Sequence, residues 1–240
     1  MILKNKCVFI LLGVIVVAFG VALQVGIGGS VSYGEDKGNT IDDVVLVQKM
    51  RGDISKKSKD DSYLVYCSNL LEKRAEKKDS LELENGIQKD VIDFAAISWY
   101  AKEHNLLPTE DEMNAYMENL IREFRQSEEY DEYESAAKKY GTTYEEILRN
   151  DREAYRIEET INKVYCSIIM EYNGNMGDEE KYEEYLKDSN LKWKTFVQET
   201  VSKYKKKEEY ASLNTKIRKY KSLGDVELRD VIREEDPNEK

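Results

Sequence analysis

The chain has 240 residues, a formal net charge of −11 and a charged fraction of 35%. The acidic balance excludes nucleic acid as the expected partner, because contacts to phosphate need a basic surface. It also provides no attraction to an anionic membrane surface. With two prolines and 40% hydrophobic residues, the composition is typical of a helical protein of one or two domains.

Residues 1–34 differ from the rest of the chain. Lys4 and Lys6 form a basic start, and the residues after them carry no charge up to Gly34. This pattern predicts either a cleaved signal peptide or a single transmembrane anchor, and both alternatives remain open. The lysines precede the apolar run, so the positive-inside rule places residues 35–240 outside the cytoplasm.

Residues 35–43 are interpreted as a linker before a first small element. Val44 to Val47 is a β-branched apolar run, which predicts a short strand. Gly52 and Asp53 then predict a turn. A helix is expected from Ser55 to about Lys78.

Two further helices follow, and their ends are marked in the sequence. The first runs from Glu84 to Asn105, with Pro108 just beyond it. Thr109 and Glu112 have the spacing of a capping box and open the second helix. That helix carries one apolar stripe of Met113, Tyr116, Met117, Leu120, Ile121 and Phe124.

The second half of the chain is also predicted to be helical. Gly141 closes a short helix, and a second capping box at Thr143 opens a long helix that runs to about Tyr172. Residues 178–223 form C-terminal helices that carry Trp193 and Phe196 on their inner side. Residues 224–240 are expected to be a loose acidic tail.

The sequence contains no recognisable catalytic or metal-binding constellation. His104 is the only histidine, and it is interpreted as a cap or surface residue near a helix end. The glycines form no phosphate or dinucleotide loop. We therefore predict neither enzymatic activity nor a cofactor, metal or small-molecule substrate. A disulfide between Cys67 and Cys166 and two free thiols both remain open.

Tyrosine is unusually frequent, with 17 tyrosines against 5 phenylalanines. A tyrosine offers a large apolar ring with a polar tip, which suits half-exposed grooves and interfaces. It also suits the shallow core of a small helical domain. The sequence alone leaves open whether the apolar stripes line a groove or fill a core.

The order of elements resembles the N-terminal chaperone domain of the SurA, PrsA and trigger factor group. Val47, Gly52, Ile54 and Ser55 match the first strand–turn pattern of that group, and Thr109 to Leu120 match a later helix. Ile92, Trp99, Ala101 and Leu106 loosely match the second helix of the group. The segment YGTTYEEILRNDREAYRIEETINKVY is similar to a further helix of the group. The likeness covers residues 41–172, and the domain itself is expected over residues 44–172.

The resemblance implies a helical cradle that binds unfolded or partly folded exported proteins. Many members also carry a parvulin-type prolyl isomerase domain, whose active site relies on histidines. No histidine follows His104 here, so isomerase activity is not expected. The alternative is a membrane-anchored scaffold for one cell-envelope partner. The candidate polypeptide-binding residues are Met113, Tyr116, Met117, Leu120, Phe124, Tyr155, Tyr165, Tyr172, Trp193 and Phe196.

Overall fold

A computed structural model of the chain describes residues 41–75, 80–169 and 179–220. The described residues form helices and short connections without a β-strand, which confirms the all-α class. The predicted signal or anchor segment and the tail lie outside them. The helices are α1 (Ile41–Lys57), α2 (Asp61–Ala75), α3 (Ser80–Glu103), α4 (Glu110–Phe124), α5 (Tyr130–Lys139), α6 (Tyr144–Asn150), α7 (Arg152–Ile168), α8 (Glu179–Tyr204) and α9 (208–220).

The strand predicted at Val44 to Val47 is wrong, because these residues lie inside α1. The predicted helix from Ser55 to Lys78 is likewise replaced by the end of α1 and by α2. Helix α1 packs against α2, α5, α6 and α7. A helical period buries Val45, Met50 and Ile54 among these neighbours, and this packing outweighs the weak β preference of a four-residue run.

Gly52 lies in α1 and does not form the predicted turn. A Cβ atom at this position would lie 2.9 Å from Cβ of Asn150 and 3.0 Å from its carbonyl carbon. The side chain of Ser55 strengthens the same contact, since its Oγ lies 3.2 Å from the Asn150 carbonyl oxygen. Glycine is therefore used here for the close approach of α1 to the end of α6.

The substitution Gly52→Ala is expected to destabilise the protein by about 1–3 kcal/mol, because it overpacks the contact with Asn150. In an exposed helix the same change would stabilise the protein by up to about 1 kcal/mol. Whether the free energy of unfolding falls or rises therefore distinguishes a close approach from an exposed position. Denaturant unfolding of Gly52→Ala and of Gly52→Ala/Asn150→Gly measures the effect. The double variant removes one of the two clashing groups and should recover part of the loss. A stabilised single variant would contradict the close approach.

The first hydrophobic core surrounds α3, which contacts α2, α7 and α8. Ile87, Val91 and Ala96 of α3 are almost fully buried. The other helices contribute Val65 and Tyr66, Ile157 and Val164, Trp193 and Val197, and Leu213, Ile217 and Tyr220. The predicted inner face of α3 is therefore core, and that of α8 is confirmed in part: Trp193 and Val197 are buried, whereas Phe196 is half-buried.

The second hydrophobic core joins α4, α5 and α6 to the N-terminal half of α1. Both predicted capping boxes are present: Thr109 pairs with Glu112 at the start of α4, and Thr143 pairs with Glu146 at the start of α6. Gly141, with a φ of 70°, follows α5 in the left-handed conformation, as predicted. These local signals place the stripe of α4 against α5 and α6.

The long helix predicted from Thr143 to about Tyr172 is wrong in two respects, because it breaks at Asp151 into α6 and α7 and it ends at Ile168. Asp151 is buried and accepts two hydrogen bonds from Arg51 of α1, at 3.1 Å and 2.5 Å. The break lets α6 pack in the second core while α7 runs into the first. A residue from a distant helix therefore stabilises a turn that the local sequence does not indicate.

Candidate functional site

Four of the predicted binding residues lie on α4 and are buried in the second core. Met113, Met117, Leu120 and Phe124 are each less than a tenth exposed. The Phe124 ring lies 5.1 Å from that of Tyr133 and 4.7 Å from that of Tyr144, measured between centroids. The apolar stripe of α4 is therefore packed inside the fold and is not exposed as a groove.

Tyr116 and Tyr155 belong to the same region. Their ring centroids lie 6.1 Å apart, with Tyr155 buried and Tyr116 half-buried. Burial raises the pKa of both phenols above the ordinary value. Both side chains are therefore neutral at physiological pH, and they extend the second core towards its edge.

Three other predicted residues, Tyr165, Trp193 and Phe196, are brought together at a different place. The Tyr165 and Trp193 rings lie 5.3 Å apart, and those of Trp193 and Phe196 lie 5.4 Å apart. Tyr100 continues the contacts at 4.9 Å from Phe196, and His104 stacks on Tyr100 at 4.0 Å. We call these five side chains the aromatic row.

The aromatic row combines a buried centre with accessible ends. Trp193 is 2% exposed, whereas Tyr165, Tyr100 and Phe196 are half-buried and His104 is exposed. Burial raises the pKa of Tyr165 to about 12, so its hydroxyl stays protonated. The row therefore offers the edges of its half-buried rings to a partner.

The ten predicted residues do not form one surface. Six of them belong to the second core or its edge, three lie in the aromatic row, and Tyr172 lies outside the described residues. Sequence analysis missed Tyr100 and His104 as members of the row. The helical spacing that places Tyr100 one turn before His104 was the available signal.

A buried polar junction between the two cores was also missed. Arg51 and Asp151 are 3% and 1% exposed. Gln48 lies beside them and accepts a hydrogen bond from the Tyr144 hydroxyl at 2.8 Å. The partners are about a hundred positions apart in sequence, so no local pattern predicts the pairing.

Among residues 41–75, 80–169 and 179–220, no group of three or more His, Cys, Asp or Glu side chains could hold a metal ion. None of the helices in these ranges is both long and apolar enough to cross a membrane. Cys67 is buried and Cys166 exposed, and both are free thiols.

Comparison with known proteins identifies no relative of this chain. The chain matches no protein-family model, and it has no significant match among curated proteins or solved structures. The likeness to the SurA, PrsA and trigger factor group therefore stays a prediction from the order of elements.

Proposed function

We propose that the chain is a non-catalytic helical scaffold that binds one protein partner outside the cytoplasm, through the aromatic row. The observation that supports this proposal is the burial of the α4 stripe in the second core. A chaperone that holds many unfolded chains needs a broad accessible apolar surface. With the α4 stripe packed inside, the aromatic row is one cluster of large side chains that keeps accessible edges among the described residues.

The chemistry of the row suits a specific contact. Aromatic rings supply a large contact area at a low cost in conformational entropy, and they are enriched at the centres of protein interfaces. Tyr100, Tyr165 and Phe196 are already held by ring contacts. A partner therefore meets side chains that are ordered before it binds, which lowers the cost of association.

The substitution Phe196→Ser is expected to weaken partner binding at least tenfold, since losing a central aromatic anchor costs about 2 kcal/mol or more. The matched control is Leu191→Ser, on the same helix and 64% exposed but outside the row. Binding of the full chain to its isolated partner is measured by calorimetry, with thermal unfolding of each variant as a check on folding. Equal losses for the two variants would contradict a binding role for the row.

A second candidate function is chaperone-like binding of unfolded or partly folded exported proteins. It is supported by Leu186, which is 39% exposed and follows the half-buried Tyr185 at the edge of the first core. Together with the aromatic row these side chains could make weak, adaptable contacts to many sequences. Suppression of aggregation of two unrelated unfolded proteins, near stoichiometric ratio, would favour this function. Suppression of neither would exclude it.

A further inference from the structure

A groove of about 400 Å³ lies between α3 and α8, and none of its lining residues belongs to the aromatic row. Its floor is apolar and is formed by Ile92, Val197 and Val201. Ile92 and Val197 are buried, and Val201 is half-buried. The rim is polar and is formed by Asn85, Gln88, Lys89, Asp93, Lys194, Gln198 and Lys205.

The rim of the groove carries more positive than negative charge. Lys89, Lys194 and Lys205 are exposed, and Asp93 is the one carboxylate that lines the groove. Lys89 Nζ lies 2.6 Å from Asp93 Oδ2, so that pair is neutralised within the groove. Lys194 and Lys205 on the α8 side therefore give the groove a preference for an acidic ligand with an apolar face.

The chain itself contains a segment with this chemistry. Within residues 223–236, Leu228, Val231 and Ile232 recur at spacings of three and four, and the sequence then continues as Arg-Glu-Glu-Asp. This segment lies outside the described residues. Its apolar side chains match the floor of the groove, and its carboxylates match the lysines of the rim.

The end of α9 packs on α2, which is a neighbour of the helix that forms one wall of the groove. The Tyr220 ring lies 5.1 Å from that of Tyr63 and 5.9 Å from that of Tyr66, both on α2. Helix α2 packs against α3, which forms one wall of the groove. The residues between Tyr220 and Leu228 can extend over about 25 Å, roughly twice the width of a helix.

We propose that residues 223–236 dock in the groove between α3 and α8, with Leu228, Val231 and Ile232 against its floor. Tethering makes this contact intramolecular, so the local concentration of the segment is in the millimolar range and weak contacts suffice. This inference is independent of the proposed function, because it needs no second protein.

Disulfide trapping in the full chain tests the docking. Gln198, on the rim, and Val231 are each replaced by cysteine in a chain where Cys7 and Cys166 are serine. The matched control replaces Glu199 in place of Gln198, since Glu199 is exposed and does not line the groove. We expect rapid intramolecular cross-linking of the Gln198→Cys/Val231→Cys variant under mild oxidation, and slow cross-linking of the control.

Charge reversal provides the second arm of the experiment. Lys194→Glu together with Lys205→Glu is expected to slow the cross-linking rate about fivefold, the effect of losing two exposed ion pairs. Equal cross-linking rates at positions 198 and 199 would overturn the proposal. Cross-links that join two chains, seen as a doubled mass on a non-reducing gel, would overturn it as well.

Discussion

The substitution Arg51→Ala is expected to lower the free energy of unfolding by about 3–5 kcal/mol, the usual cost of removing one partner of a buried ion pair. Arg51 and Asp151 are both almost fully buried. Without the guanidinium, the Asp151 carboxylate is left inside the protein with no compensating charge. Urea unfolding of the wild type and the variant near pH 8 measures the difference.

A matched double variant separates the loss of the pair from the burial of an unpaired charge. Arg51→Met/Asp151→Leu replaces both partners by apolar side chains of similar length, and it is expected to be far closer to the wild type than the single variant. If Arg51→Ala lowered the free energy of unfolding by less than about 1 kcal/mol, the loss would be no larger than that expected for an exposed ion pair. That result would contradict the buried junction between the two cores.

The stability loss of the Arg51→Ala variant should also depend on pH. Burial raises the pKa of Asp151 from its ordinary value of 3.8 to about 6, against the opposing attraction of Arg51. A carboxyl group with a raised pKa takes up a proton on folding, so stability is lost as the pH rises through that pKa. In Arg51→Ala the opposing attraction is gone and the pKa rises further. The stability deficit of the variant is therefore expected to be larger near pH 8 than near pH 5.

The substitution Trp193→Ala is expected to cost about 3–5 kcal/mol, since it leaves a large cavity in the first core. The Trp193 side chain is 2% exposed and contacts Tyr165 and Phe196 through its ring. Its loss also removes the centre of the aromatic row. Circular dichroism during thermal unfolding measures the effect without relying on tryptophan fluorescence.

Leu191→Ala is the control for this change. Leu191 lies two residues before Trp193 on α8 and is 64% exposed, so its truncation should change stability by less than about 0.5 kcal/mol. Similar losses for the two variants would show that α8 does not pack in the first core as described. The comparison therefore tests the placement of α8 against α3 and α7.

The parts of the fold that could be predicted from the sequence are those with local causes. Thr109 with Glu112 and Thr143 with Glu146 satisfy backbone groups within one turn, so spacing alone identifies them. Gly141 takes a positive φ next to a helix end for an equally local reason. The apolar stripe of α4 follows from its helical period.

The parts that could not be predicted have distant causes. Val44 to Val47 is helical because α1 packs on four other helices, and Gly52 is needed for the approach of Asn150. Asp151 ends α6 where Arg51 meets it, from a position a hundred residues earlier. Local patterns in a single sequence do not indicate which distant residues will be in contact.

The candidate site likewise has features with local causes, which could be predicted, and features with distant causes, which could not. Periodicity correctly places Met113 and Phe124 on one face of α4, yet a face that fills a core and a face that lines a groove have the same pattern. Only the presence of α5 and α6 over that face decides between them. Trp193 meets Tyr165 because α7 and α8 both pack around α3, which no spacing within one helix could reveal.

Site-specific photo-cross-linking in intact cells tests most directly whether the aromatic row binds a partner while the α4 stripe does not. A photoreactive phenylalanine analogue replaces Tyr100 or Phe196 of the row, Met117 of the stripe, or Leu191 as the exposed control. One discrete adduct of the same mass is expected at both row positions and none at the other two. Adducts at Met117 without adducts in the row would contradict it.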